Sequence, residues 1–359
     1  MSKRPRHIAV VRFSAMGDVA MLFPVLRAVL SQNEIEITLL TRPQFTPIFS
    51  SIPRLKVQAV DLKNNYKGPL GLWRLAREIK ALNPDCFLDL HDVLRTKILR
   101  RYLRFLGVSS STFDKGRAEK KQRVKHFDPS LPWLKSTHQR YAEGLEALGL
   151  KVRLDLGEKA IDPDKSVVQK QSPLVQDFLN SLKDQSTLNT QSGACIGFAP
   201  FAAFAGKTYP LDLAKTLCQA LIQKGHQVLL FGAPGQEAAQ LTALAKDQKG
   251  IHVLAGKWTF AQELEVMSAL DLMIAMDSGN GHLAANFGLP VLTLWGATHP
   301  SLGFMPFGQG LKRQLFADRR QYPKIPTSVY GNKLPKGYAP LMRSIPVEDI
   351  VQKVEDLLR

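Results

Sequence analysis

Asp277-Ser278-Gly279-Asn280-Gly281-His282 stands between an apolar run, Leu270-Asp271-Leu272-Met273-Ile274-Ala275-Met276, and a small-residue stretch, His282-Leu283-Ala284-Ala285-Asn286-Phe287-Gly288. A second apolar run follows at Pro290-Val291-Leu292-Thr293-Leu294-Trp295. Strand, polar glycine turn, helix, strand is a βαβ unit. The turn falls where a helix leaves its first N–H groups unpaired and its dipole favours an anion. Gly279 and Gly281 carry no Cβ, so a phosphate could approach the backbone there. The plainer alternative is that Asp277 caps the helix and the glycines only permit the turn. The spacing Gly279 to Ala284 also satisfies Gly-x-Gly-x-x-Ala. A dinucleotide site wants an acid about 20 residues further on, and the next strand ends Trp295-Gly296-Ala297-Thr298-His299 without one.

Outward from this unit the alternation continues. Upstream, strands are expected at Ala194 to Pro200, Gln227 to Phe231 and Ile251 to Leu254. Helices are expected from Pro210 to Gly225, from Gln236 to Ala245 and from Phe260 to Leu270. The first half repeats the pattern, with strands at His7 to Phe13, Ile35 to Leu40, Val57 to Asp61 and Cys86 to Leu90. Its helices fall at Asp18 to Leu30, Leu70 to Leu82, Arg95 to Leu106 and His138 to Leu148, the last closed by Gly149. Strands alternating with helices make parallel, doubly wound sheets. The expected fold is therefore α/β, two Rossmann-like domains facing a central cleft. The boundaries read as 1–160, a polar connector at 161–192 with one helix near Leu174 to Leu182, a second domain at 193–340, and a closing helix within 341–359. Tyr322 to Pro340, rich in Pro, Lys and Tyr, reads as a long loop.

Composition narrows the function. The chain has 359 residues, is 45% hydrophobic and has three cysteines with neither metal spacing nor an even framework. That suits a reducing cytosol. No stretch is apolar for the about 18 residues a spanning helix needs. The basic start Lys3-Arg4-Pro5-Arg6 precedes a run broken by Arg12 and Asp18, so no targeting segment is expected. The formal net charge is +17, and Arg95 to Lys125 holds eleven Lys/Arg against two acids, Asp114 and Glu119. Such a stretch is either a solvated face or an attractor of nucleic acid, anionic membrane or an anionic substrate. Stacking aromatics and nucleic-acid motifs are missing, which sets nucleic acid aside.

Ligands of open α/β sheets sit beyond the carboxyl ends of the strands. In the loop Ser14 to Asp18, Asp18 is the lone carboxylate, either a helix N-cap or a general base for a sugar hydroxyl. In Phe201 to Tyr209, Lys207 is either a surface lysine or the cation that neutralises a leaving diphosphate. Glu237 is either a first-turn acid or a ribose acceptor. His282 either packs the helix or donates to a phosphate. No metal site is expected, since no His pair has ligand spacing and the only Asp-x-Asp, Asp162-Pro163-Asp164, lies in the connector.

Together these motifs resemble glycosyltransferase family 9, the heptosyltransferases. Arg12-Phe13-Ser14-Ala15-Met16-Gly17-Asp18-Val19 resembles the family's opening motif. Lys207-Thr208-Tyr209-Pro210 is similar to its Lys-x-Trp-Pro element, and Gly256-Lys257-Trp258-Thr259 to its Gly-Lys-Thr-Ser turn. Asp277 to Ala285, with Gly296-Ala297-Thr298-His299-Pro300, is similar to its donor-site signature. The resemblance implies a GT-B fold with an acceptor domain first and a nucleotide-sugar domain second. It implies inverting, metal-independent transfer of heptose from ADP-heptose to the lipopolysaccharide inner core, with no cofactor. Asp18 would then be the base and Lys207 the diphosphate partner. Glu237 would hold the nucleoside, and Asp277, Ser278, Gly279, Gly281 and His282 would line the donor pocket. Ser14, Gly17 and Asn280 are expected to join them. Arg95, Lys97 and Arg101 are expected acceptor contacts, and the enzyme is expected in the cytoplasm, peripheral to the inner face of the inner membrane. The competing classes are an epimerase or dehydrogenase, which would need a glycine turn near residue 10 and a Tyr-x-x-x-Lys pair, and a non-catalytic glycolipid-binding protein on the same scaffold.

Overall fold

A computed structural model describes residues 5–155, 171–186 and 193–359, with only the backbone described at 183–186. Half of the expected connector, 161–170 and 187–192, lies outside the described residues. The chain divides into two compact units, Met1–Arg117 with Lys135–Asp155, and Ala118–Leu134 with Leu156–Arg359. The chain passes between the units at 117/118, 134/135 and 155/156, so 118–134 groups with the second unit.

The first unit is built on five parallel strands. Its elements run β1 (His7–Val11), α1 (Met16–Ala20), α2 (Leu22–Gln32), β2 (Glu36–Thr41), β3 (Leu55–Ala59), α3 (Gly68–Ala81), β4 (Cys86–Asp89), α4 (Leu94–Phe105) and β5 (Ser110–Thr112). Helix α5 (Arg117–Lys125) follows, and after it α6 (Thr137–Glu146) returns to this unit. The sheet order is β3-β2-β1-β4-β5. Ile8, Ala9, Val10 and Val11 are wholly buried, as a central parallel strand covered on both faces requires. In α3, Leu72, Leu75, Ala76 and Ile79 form the buried stripe of an amphipathic helix. Ser136 caps α6 by accepting from the Gln139 N–H.

Four features differ from the sequence reading. The single helix expected over 18–30 is two, broken at Met21. Strand β5 has three residues with one strand neighbour, too short to carry a period. Helix α5, Arg-Ala-Glu-Lys-Lys-Gln-Arg-Val-Lys, offers almost no apolar face to read. The fourth, strand β11, belongs to the second unit.

The second unit contains α7 (Pro173–Ser186), β6 (Cys195–Ala199), α8 (Leu211–Gln223), β7 (Gln227–Leu230), α9 (Gln236–Ala245), β8 (Ile251–Val253) and α10 (Phe260–Met267). It continues with β9 (Leu272–Met276), α11 (Gly279–Asn286), β10 (Val291–Trp295), β11 (Gln314–Phe316) and α12 (Val347–Leu358). The six strands are parallel in the order β11-β10-β9-β6-β7-β8. Helix α12 is part of this core: Val347, Ile350 and Val354 bury with Ala214, Leu217 and Leu221 of α8. The span Tyr322 to Pro340 has no regular element, as expected, yet it is anchored, with Thr327 N–H donating to the Ala297 carbonyl.

Candidate active site

Each sheet reverses its strand order once, between β1 and β4 in the first and between β6 and β9 in the second. At such a switch point adjacent loops leave in opposite directions and open a crevice beyond the strand ends. Asp18 stands at the first of these points, and Lys207 and Asp277 stand at the second.

At the second switch point, Lys207 ends a short 3-10 turn after β6 and Asp277 follows β9. Lys207 Nζ lies 3.1 Å from Asp277 Oδ2, and the two side chains are only 11% and 10% exposed. Thr298 Oγ1 donates to the same oxygen at 2.7 Å. Lys207 is therefore not a surface lysine, and Asp277 is not the helix cap. The N-cap of α11 is Ser278, whose side chain makes no cap bond. Its Oγ is buried with no hydrogen-bond partner among the described residues. The first-turn N–H groups of α11 begin at this point. His282 is buried in α11, and Asn280 is half-buried. Gly281 has a different role from the one its spacing suggested. A Cβ there would touch Ala275, Pro306 and Val291 at ordinary distances, so this glycine faces the sheet rather than a ligand.

The loop scaffold around Lys207 is tightly held. Ala297 N–H donates to the Gly206 carbonyl at 2.8 Å. A Cβ on Gly296 would collide with that carbonyl and with Met342, which explains the glycine. Tyr209 is wholly buried and donates to the Ile345 carbonyl at 3.0 Å, tying the loop to the approach of α12. Gly331, at φ 72°, lies against the aliphatic stem of Lys207. Glu237 Oε2 accepts from the Ala233 N–H at 2.7 Å, so one of its oxygens braces the loop after β7.

At the first switch point Asp18 is the third residue of α1, not its N-cap. Its Oδ2 accepts from the Ala15 N–H at 3.2 Å and pairs with Arg12 Nη2 at 2.6 Å. Arg12 is buried and also donates through Nη1 to the Leu90 carbonyl at 2.6 Å. Gly17 stands beside Asp18 in the same turn, and Ser14 Oγ lies 3.3 Å from His91 Nε2. Burial, then Arg12 and Lys115, push the His91 ring down to about 3, so it is neutral at physiological pH. Burial, then Arg12 and Arg117, bring Lys115 down to about 8. Arg42 adds to the positive potential at His91. Asp92 draws Arg100 to 3.3 Å and Arg117 to 3.1 Å.

Lys97 reaches Asp92 at 3.7 Å, while Arg95 and Arg101 lie exposed on α4, Arg101 on the side away from buried Thr96, Leu99 and Leu103. Residues to which sequence reasoning gave no role of their own are His91, Lys115, Arg42 and Thr298. His91 and Thr298 follow the ends of β4 and β10, so the strand-end rule could have named both. Lys115 follows β5 and needed that strand to be seen. Among the described residues no three His, Cys, Asp or Glu side chains come together as a metal cage. Among them also, no helix is long and apolar enough to cross a membrane.

The family model described as glycosyltransferase family 9 (heptosyltransferase) matches residues 72–334. Lipopolysaccharide heptosyltransferase 1 of Campylobacter coli is 25% identical over 304 residues, 81% of this chain and 84% of that protein. The lipopolysaccharide core heptosyltransferase OpsX of Haemophilus influenzae is 24% identical, over 85% of this chain and 83% of its own. A family 9 glycosyltransferase from Veillonella parvula superimposes with a TM-score of 0.71 at 19% identity, over 98% of this chain and 97% of its own. The E. coli heptosyltransferase WaaC with ADP superimposes with a TM-score of 0.65 at 18% identity, over 98% and 99%. These structural likenesses establish the fold, the paired α/β units of the GT-B class.

Proposed function

The chain belongs to glycosyltransferase family 9, the heptosyltransferases, and from that premise we propose that it moves a heptose from ADP-heptose onto the lipopolysaccharide inner core or a similar anionic glycolipid. In this reading transfer inverts the anomeric carbon and needs neither metal nor cofactor. It takes place at the cytoplasmic face of the inner membrane, with the protein in peripheral contact with anionic lipid and no part played by nucleic acid. The observation that carries the reading is Lys207, buried 3.1 Å from Asp277 at the strand end where α11 begins.

The diphosphate binds against Lys207, the Ser278 hydroxyl and the N–H groups of Gly279 and its neighbours, with the ribose on the remaining oxygen of Glu237. That arrangement places fixed positive potential where negative charge develops on departure. The acceptor hydroxyl oxygen attacks the anomeric carbon as the bond to the diphosphate oxygen breaks. The electron pair leaves with ADP, and the proton passes to Asp18. Arg12 and Ala15 hold Asp18 Oδ2, so Oδ1 is the oxygen assigned to take the proton. Arg42, Lys115 and Arg117 meet the acceptor's carboxylates and phosphates.

The test is the mass of product formed when the protein meets a panel of nucleotide sugars and deacylated core glycolipids. Addition of one heptose from ADP-heptose, surviving EDTA, is expected. Donor binding by calorimetry with no product on any acceptor would make the chain a non-catalytic glycolipid-binding protein. Turnover abolished by chelator and restored by Mg²⁺ or Mn²⁺ would overturn the metal-independent step.

A further inference from the structure

Helix α4 carries two apolar stripes where a helix on a sheet needs one. Thr96, Leu99 and Leu103 form the buried stripe. Leu94 and Phe105 recur at i and i+11, which puts them together on the opposite face, with Ile98 beside them packed partly against the core. Leu94 is 75% exposed and Phe105 is 81% exposed. Helix α3 does the same: Leu70, 85% exposed, lies one turn before Trp73 and opposite the buried Leu75 and Ile79. Trp73 joins the helices, edge-on to Tyr102 at 5.3 Å and tilted against Phe105 at 5.9 Å. Around these side chains stand exposed Arg74, Arg77, Arg95, Arg101 and Arg104. Helix α4 has five basic residues and no acid. The lone acid of α3, Glu78, accepts from the Tyr66 hydroxyl at 2.6 Å.

We infer that the outward face of α3 and α4 docks on an anionic phospholipid bilayer, with Leu70, Leu94 and Phe105 entering the headgroup boundary. The charge pattern selects this occupant. Basic side chains with long stems beside aliphatic and aromatic groups suit an anionic interface. A second copy meeting this face symmetrically would set arginines against arginines. Nucleic acid would gain nothing from exposed leucines. The inference rests on the membrane contact in the reading above, and not on its transfer chemistry. It gives the outer part of the basic stretch a lipid role, separate from the acceptor's anions.

Co-sedimentation of the full chain with phosphatidylcholine vesicles, and with phosphatidylcholine–phosphatidylglycerol vesicles, tests it. Binding to the anionic mixture that weakens with salt is expected. The double variant Leu70→Ser/Phe105→Ser should lose about tenfold or more in vesicle affinity, and Arg74→Gln/Arg104→Gln about thirtyfold. Both should keep the wild-type melting temperature and transfer to a deacylated, water-soluble acceptor. Wild-type vesicle binding by both variants overturns the inference. So does equal, salt-independent binding to pure phosphatidylcholine. Sedimentation velocity showing self-association that Leu70→Ser/Phe105→Ser abolishes, with vesicle binding intact, makes the face a self-interface and overturns it too. Absence of transfer by the wild type would instead count against the enzymatic reading and leave the membrane face standing.

Discussion

Asp18 and Asp277 each hold one cation through Oδ2, and their exposure separates their uses: 32% for Asp18 against 10% for Asp277. A carboxylate that takes a proton from substrate must be reachable, and one that fixes a lysine is better enclosed. Asp18→Asn is therefore expected to lower kcat by ~10²–10⁴ while calorimetry finds ADP-heptose affinity nearly unchanged. More than about a tenth of wild-type kcat in this variant would remove Asp18 from the base role. Lys115 gives a pH signature. With its ammonium down at about 8, it is charged below that pH and neutral above it. The acceptor KM should rise as pH passes 8, and Lys115→Arg, which keeps its charge, should shift that rise to higher pH. An unchanged KM profile in the variant would take Lys115 out of acceptor binding. Asp18 and Lys207 were legible in the sequence because each is the lone charge of its kind in a loop that follows a strand. His91 was not, and Arg12 was read only as part of a motif, because their roles lie in contacts between loops 77 or 78 residues apart.

At the level of elements, α11 shows how one glycine pair can divide its labour. Gly279 begins the helix at the turn, whereas Gly281 lies on the inner side, where a methyl group would make ordinary contacts. Gly281→Ala should therefore be tolerated and raise stability by about 0.5–1 kcal/mol through helix propensity. Thermal denaturation and donor titration check this: a loss of donor affinity would return Gly281 to the phosphate surface. Long apolar strands and amphipathic helices were readable because burial on both faces or on one stripe writes itself into composition. Strands β5 and β11, three residues each, and the almost wholly polar α5 were not readable, since sheet edges and packed loops rather than periodicity define them. The glycine turn expected from Asp277 to His282 is shorter than read, since α11 already begins at Gly279 and only Asp277 and Ser278 precede it, and a motif does not say which way each missing Cβ points.

Across the molecule, the segment 118–134 is fastened to the second unit by rings. Phe127 meets His299 edge-on at 4.8 Å and lies under Arg319 at 4.4 Å, and Leu134 N–H donates to the Ser301 carbonyl. Burial, then Arg319 and Arg123, hold the His299 ring down to about 4. The folded state thus resists a proton that the unfolded chain accepts. The contribution of neutral His299 is complete above pH 6.5 and is lost as pH falls toward 4. Melting temperature should fall less steeply between pH 6.5 and 5 in His299→Gln than in the wild type, and parallel curves would refute the link. The same segment sets a rule for recombining this chain with its relatives. The polypeptide passes between units at 117/118, 134/135 and 155/156 rather than once. A chimaera joined at a single midpoint would leave the second unit wrapped by a foreign strap. Exchanging the first unit means grafting Met1–Arg117 and Lys135–Asp155 as two pieces around a native 118–134, and only that graft should melt as the parent does.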